Sequence, residues 1–97
     1  MSSQKSIDQA IKLLGDSFVL EIIRHLERGP LRFCELQRAM DNLNPVTLTN
    51  RLKRLEKAEL VGRRTETIDK ISVSYLLTDR GRTVLPVIRA LEKFSGD

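Results

Sequence analysis

Apolar residues in the first third of the chain recur every three or four positions, a spacing that predicts helices. Residues 6–15 form a first amphipathic segment, and a broader apolar stripe follows at 18–26. Asp16 is placed to cap the second helix, because its carboxylate can accept hydrogen bonds from the free amides of the first turn. Gly29 and Pro30 follow the stripe, which is typical of a helix end. Two helices are therefore predicted before residue 30.

The next segment predicts two helices joined by a short turn. After a short extended piece, a third helix is expected at 33–40. Asn44 is a favourable cap for a fourth helix, and Pro45 suits its first position because that position needs no amide. Together the two helices form a helix-turn-helix at 33–58. The fourth helix buries a stripe of leucines: Leu48, Leu52 and Leu55.

After the fourth helix the apolar pattern changes from helical spacing to alternation, which favours strands. Residues 60–77 are predicted to form a two-stranded hairpin, the wing, with its tip in "TIDK". A closing helix is expected at 78–95, bent where Pro86 removes a backbone hydrogen bond. The order of elements predicts one winged helix-turn-helix domain over 1–97, a mainly α fold with a small β-hairpin (α+β).

Positive charge is concentrated on the fourth helix and the start of the wing. Six of the 17 basic residues and two of the 13 acidic residues lie at 44–64, so this window accounts for the whole formal net charge of +4. Such a cluster is expected on a surface that binds phosphates. Charge alone fits a solvated basic helix face equally well.

The outward face of the fourth helix separates the two interpretations. Small or amide side chains occupy its first turns and long cations its later turns, the order that a recognition helix in the major groove requires. A helix that only packs a core explains the leucines but not this gradient. The residues expected to reach base edges are Val46, Thr47, Asn50 and Arg51, of which Arg51 lies closest to the buried flank. The residues expected to bind phosphates are Lys53, Arg54, Lys57, Arg63, Arg64 and Lys70.

Other classes of function find little support in the sequence. The chain has one Cys and one His, so neither an internal disulfide nor a His/Cys metal cluster is expected, and no cofactor is predicted. No catalytic motif such as HExxH or a phosphate-binding loop is present, so an enzyme is not expected. No apolar run approaches the roughly 20 residues of a membrane span. The N-terminus lacks an apolar signal core, so a cytoplasmic protein is expected.

Three segments together resemble the HxlR-type winged-helix transcription regulators. They are "LLGDSFVLEIIRHLERGPLRFCELQRAM", "LNPVTLTNRLKRLEKAELVGR" and "VSYLLTDRGRTVLPVI". The resemblance covers the chain from about residue 10 to 94. It implies a sequence-specific regulator that binds operator DNA as a homodimer, commonly as a repressor. The alternative from another class is a winged-helix module for protein–protein interaction that binds no specific DNA.

The chain departs from the family pattern at the second helix, the wing and the N-terminus. Phe18 stands where the family usually has tryptophan, and Lys70-Ile71 where the wing often has two prolines. Several members sense oxidants through a cysteine ahead of the "LLG" segment, where this chain has none. Cys34 is the only possible redox thiol, although a free cysteine is most often a small buried residue. A small-molecule or redox effector is left unknown.

The first and last helices carry more apolar surface than one small core requires. We therefore expect 6–15 and 78–95 to be dimerisation helices, since exposed apolar surface usually marks an interface. The residues expected at this dimer interface are Ile7, Ile11, Leu14, Leu85, Ile88, Leu91 and Phe94. A two-fold dimer would place two recognition helices on an inverted repeat. The alternative is that both stripes pack on the core of their own chain.

Overall fold

The computed structural model describes residues 3–67 and 72–96. Its elements in chain order are α1 (Ser3–Leu14), α2 (Ser17–Leu26), β1 (Leu31–Arg32), α3 (Phe33–Ala39), α4 (Pro45–Lys57), β2 (Val61–Glu66), β3 (Ser72–Leu77), α5 (Asp79–Arg82) and α6 (Leu85–Phe94). The order of helices and strands confirms the predicted winged helix-turn-helix, with α3 and α4 as its helix pair.

The wing strands and β1 form a three-stranded antiparallel sheet in the order β1-β3-β2. β2 and β3 pair over their full length, from Val61 opposite Leu77 to Glu66 opposite Ser72. β1 adds to the other edge of β3, with Leu31 opposite Tyr75. Most of the predicted hairpin tip, including the expected phosphate-binding residue Lys70, falls within 68–71, which lies outside the described residues.

The core is built around α2, which packs against α1 and α3, against α4 and α6, and against β3 of the sheet. The inward faces of α2 and α4 are almost completely closed to solvent, at 0 to 1% exposure: Val19, Ile22, Ile23, Leu26, Leu48, Leu52 and Leu55. Leu77 of β3 and Ile88 of α6 close the same cluster from the sides. Full burial of each such side chain contributes about 1.5–3 kcal/mol, so the leucine stripe of α4 fixes that helix on α2.

Side chains cap three helix starts, and two of these caps, Asp16 and Asn44, are those that the sequence predicts. Asp16 accepts hydrogen bonds from the Phe18 and Val19 amides at the start of α2. Asn44 accepts from the Val46 and Thr47 amides at the start of α4, at 2.8 and 3.3 Å. Thr78 accepts from the Gly81 amide at the start of α5. Each cap satisfies amides that lack a partner in the helix, and one cap stabilises a helix by about 1 kcal/mol.

The turn between α3 and α4 uses two residues in the left-handed region, Asp41 with φ 57° and Asn42 with φ 58°. Aspartate and asparagine tolerate this conformation better than most residues. The Asn42 amide donates to the Gln37 carbonyl at 2.9 Å, and the Gln37 side chain donates to the Leu43 carbonyl at 2.8 Å. These bonds close the turn and thereby set the angle at which α4 leaves α3.

The prediction of one closing helix bent at Pro86 is wrong. Pro86 has no amide to donate to the Arg82 carbonyl, so the first helical stretch ends at Arg82 and a new helix begins at Leu85. Pro86 occupies the first turn of α6, where the missing amide costs little. In α5, a Cβ added to Gly81 would lie 2.1 Å from the Leu60 carbonyl oxygen. Only glycine therefore permits this close approach of α5 to the chain entering β2.

The end of α4 provides a test of backbone strain. Glu59 has φ 63°, and the Leu60 and Glu59 amides bond back to the Leu55 and Glu56 carbonyls, the pattern of a helix end that normally uses glycine. We expect Glu59→Gly to raise the free energy of unfolding by about 1 kcal/mol, because glycine removes the left-handed strain. Urea denaturation measures the change. Glu59→Ala is the control, since it removes the carboxylate but keeps the strain. An equal gain in both variants would assign the effect to charge instead.

Candidate nucleic-acid interface

Helix α4 presents one face to the core and the opposite face to solvent. Leu48, Leu52 and Leu55 point into the core. On the other side, Val46 is 66% exposed, and Asn50 is exposed one turn later. An apolar side chain this exposed at the front of a helix has no packing role in its own chain. It is available for an apolar partner such as a thymine methyl group.

The predicted base-reading residues lie near the start of α4, but their surroundings differ. Val46 and Asn50 are exposed, Thr47 is half-buried, and Arg51 is turned toward α2. The Asn50 side chain forms no hydrogen bond within the described part of the chain, so its amide group is available to a partner. An asparagine amide can bind adenine through two hydrogen bonds, which makes Asn50 the residue of this set best suited to read a base.

Arg51 is held by two contacts from the start of α2. Its Nε donates to Asp16 Oδ2 at 2.8 Å, and its guanidinium lies over the Phe18 ring at 5.7 Å. The Arg54 Nη1 reaches the same carboxylate oxygen at 3.4 Å. The Arg51 side chain is 24% exposed and that of Arg54 46%. Both arginines therefore lie along the flank of α4 beside α2, and a carboxylate already engages their charge.

The cations that follow differ in whether they have an acidic partner. In the described ranges, no ion pair involves Lys53 or Lys57, both exposed on the outward face of α4. On β2, Arg63 Nε lies 3.2 Å from Glu56 Oε1, and Arg64 Nη2 lies 4.0 Å from Glu66 Oε2. The lysines thus offer full charge to phosphates, whereas each arginine shares its charge with a carboxylate.

Asp16 has a second role, which the sequence did not predict. Its Oδ1 accepts the two amides that cap α2, while its Oδ2 accepts from the arginines of α4. Partial burial raises the pKa of this carboxyl. The Val19 amide, the hydrogen bond and charge of Arg51, and the Phe18 amide lower the pKa by more, so that it lies below its ordinary value of 3.8. The capping signal was readable from local sequence. The contact to Arg51 was not, because 35 residues separate the partners.

Helices α1 and α6 each carry exposed apolar side chains. Ile7 and Ile11 are 54% and 62% exposed, and Leu91 and Phe94 are 48% and 90% exposed. Leu14 and Leu85 are half-buried against the core. Ile88, expected at the dimer interface, is 4% exposed and belongs to the core of its own chain, because α6 turns this residue toward α2. Val87, 42% exposed, takes its place on the outer face.

Cys34 is exposed at the start of α3, so the expectation that a free cysteine is buried is wrong here. An exposed thiol can meet an oxidant, and its possible redox role stays a prediction. Among residues 3–67 and 72–96, no group of three or more His, Cys, Asp or Glu side chains could hold a metal ion. None of the helices that the structure describes combines the length and apolar character needed to cross a bilayer.

Known proteins with the same arrangement are transcriptional regulators. The family model described as HxlR-like helix-turn-helix matches residues 13–97. YvaP, an uncharacterized HTH-type transcriptional regulator of Bacillus subtilis (strain 168), is 31% identical over 88 residues, which are 91% of this chain and 82% of YvaP. The HTH-type transcriptional regulator YodB of the same bacterium is 30% identical over 89 residues, 92% of this chain and 80% of YodB.

Solved structures of transcriptional regulators have the same fold as this chain. Reduced YodB from B. subtilis gives a TM-score of 0.85 at 30% identity, over 93% of this chain and 88% of YodB. YodB has also been crystallised after diamide treatment and with bound quinone. A transcriptional regulator of the MarR family from Enterococcus faecalis V583 gives a TM-score of 0.85 at 29% identity, over 99% of this chain and 87% of that protein.

The lowered pKa of Asp16 predicts how its contribution to stability depends on pH. Because the folded pKa lies below the ordinary value, which the unfolded chain has, the ionised carboxylate stabilises the fold above that value. This stabilisation is lost as the pH falls through the folded pKa. We expect Asp16→Asn to lower the free energy of unfolding by about 1 kcal/mol at pH 7, since asparagine keeps the cap but loses the charge. The difference should shrink below about pH 4.

Urea unfolding of both proteins between pH 7 and pH 2 measures this difference. A gap that stays constant over the whole range would show that the carboxylate charge does not stabilise the contact with Arg51.

Proposed function

The chain belongs to the HxlR-like helix-turn-helix family of DNA-binding transcriptional regulators, and on that premise we propose that it is a repressor that binds an inverted-repeat operator as a homodimer. Its relatives are regulators and not enzymes. The observation that carries the proposal is the division of α4 into a buried leucine face and an exposed face that runs from Val46 and Asn50 to Lys53 and Lys57.

The proposed docking places the start of α4 in the major groove. Asn50 reads a base edge, while Val46 and Thr47 contact neighbouring base pairs through methyl groups. Lys53 and Lys57 bind phosphates further along the helix, and the wing arginines bind the DNA backbone beside the groove. Arg51 is bonded to Asp16 through Nε and turned toward α2, so we assign it to the edge of the contact.

A matched pair of variants tests base reading against phosphate binding. We expect Asn50→Ala to weaken binding to a selected operator by about 1–3 kcal/mol and to leave binding to random duplex DNA almost unchanged. Lys53→Ala should weaken both complexes and reduce the slope of log affinity against log salt by about 0.9, the contribution of one phosphate contact. Titrations at several salt concentrations measure both quantities.

Each variant is the control for the other, because both substitutions remove an exposed polar side chain from the same helix. Equal losses on operator and random DNA in Asn50→Ala would show that this residue does not read sequence. An operator for these titrations comes from selection of bound fragments out of random or genomic DNA.

The proposed homodimer forms through α1 and α6. Among the α1 side chains that the structure describes, Leu13 and Leu14 of the last turn pack on the core, while Ile7 and Ile11 are left exposed. The outer face of α6 also exposes apolar side chains, those of Val87, Leu91 and Phe94. The radius of gyration, 14.3 Å, exceeds the value of about 12.5 Å expected for a compact chain of this length. Apolar surface of this extent on a free chain favours association.

The dimer proposal predicts a mass near twice the 11.1 kDa of the chain in light scattering at micromolar concentration. Leu91→Glu should lower that mass and weaken operator binding, because it places a charge in the apolar interface. The fold should persist, since Leu91 is 48% exposed. Lys93→Glu, also exposed but on the other side of α6, is the control and should leave the mass unchanged. A wild-type mass near 11.1 kDa would end the proposal.

The alternative function is a protein–protein interaction module with the same fold. Binding to random duplex DNA that weakens steeply with salt favours the regulator, because such binding reports phosphate contacts. Repression is tested separately by placing the selected operator upstream of a reporter gene. Expression that rises when the chain is present would make the protein an activator.

A further inference from the structure

We propose that Asp16 limits the sequence-independent affinity of this protein for DNA by withholding Arg51 and Arg54 from phosphates, and that it thereby favours operator over random DNA. The inference rests on the proposed function, since it requires that α4 binds DNA. It concerns a residue outside the helix-turn-helix pair and outside the set predicted to contact DNA.

The geometry gives the Asp16 carboxylate a fixed position beside α4. Its Oδ1 is held by the Phe18 amide at 2.9 Å and the Val19 amide at 3.3 Å. Its Oδ2 is thereby directed toward α4, where it accepts from Arg51 Nε at 2.8 Å and Arg54 Nη1 at 3.4 Å. Because the α2 backbone holds one oxygen, the other cannot swing away when a phosphate approaches.

The two arginines lie one turn apart on α4 and meet the same oxygen. Arg51 has the stronger restraint, because the Phe18 ring lies against its guanidinium as well. Arg54 keeps 46% of its side chain exposed and borders the face that carries Lys53. A phosphate approaching this flank therefore meets a negative charge together with the two cations, and the arginines offer it less than their formal charge.

Sequence-independent binding depends on this charge more than operator binding does. Binding to random DNA consists almost entirely of phosphate contacts, whereas an operator complex adds base contacts that hold α4 in one register. On random DNA the protein occupies many registers, and a released arginine finds a phosphate in most of them. Neutralising Asp16 therefore raises the affinity for random DNA more than the affinity for the operator.

The test compares two uncharged replacements with a matched control at the other end of the same helix. Asp16→Asn and Asp16→Ser both keep a side chain that caps α2, while both remove the negative charge. Glu27 follows the last residue of α2 and pairs with Arg89. Glu27→Gln makes the same change in net charge and removes one of the two carboxylates that pair with Arg89, Glu92 being the other. This site lies about 16.5 Å away along the helix.

Binding to random duplex DNA is measured from 50 to 200 mM salt for each protein. We expect both Asp16 variants to bind more tightly at low salt and to steepen the log–log slope by about 0.9, which corresponds to one more phosphate contact and about 3.5-fold more loss of affinity over this range. The ratio of operator to random affinity should fall. Glu27→Gln should leave the slope unchanged. In the double variant Asp16→Asn with Arg54→Ala, the added slope should shrink, because one of the two released cations is absent.

Three results would overturn the inference. The first is a log–log slope that does not steepen in either Asp16 variant, although thermal unfolding shows that both variants are folded. The second is an equal steepening of the slope in Glu27→Gln, which would assign the effect to net charge. The third is an equal gain in affinity on operator and random DNA. If the wild-type chain itself shows no salt-dependent binding, the proposed function fails, and that outcome is distinct because it does not depend on any variant.

Discussion

The packing of the α4 leucine stripe on α2 is the interaction on which the other features of this protein depend. Leu48, Leu52 and Leu55 are closed to solvent against the equally buried face of α2. Because residues on a helix have fixed angular positions, burying this face leaves Val46, Asn50 and Lys53 on the outside. The same contact brings the first residue before α2, Asp16, beside the arginines on the flank of α4. The outward face and its acidic border thus have one cause.

Features that depend on neighbouring residues could be predicted from the sequence. The caps at Asp16 and Asn44 and the pairing of two wing strands could be predicted in this way, and the structure confirms them. The closing helix was predicted wrongly because a proline fits both a bend within one helix and the first turn of a second helix. The choice depended on whether Arg82 and Val84 could end one helix and begin another. The close approach of Gly81 to the Leu60 carbonyl in the same region is a tertiary contact that no local pattern reveals.

The charge of the candidate site also could not be predicted from neighbouring residues alone. Six basic residues in one window of the sequence suggest a strongly positive surface, but carboxylates lie near four of them in the folded chain. Asp16, the partner of Arg51 and Arg54, comes from far outside that window. A count of charges along a sequence overstates the field at a surface whenever folding brings opposite charges from elsewhere. The lysines of α4 are therefore a better measure of phosphate binding than the total.

The number of cations available for phosphate binding on one chain gives a reason for the proposed dimerisation. With two exposed lysines on α4 that have no acidic partner in the described residues, one chain offers few phosphate contacts at full charge. Each contact adds one term to the salt dependence, so a second copy would double a modest total without making either copy bind random DNA strongly. In the proposed dimer the apolar faces of α1 and α6 would supply the association, and the two Asn50 side chains would read both half-sites. Selectivity then comes from pairing two weak but specific contacts at one fixed spacing, which a more basic single chain could not achieve.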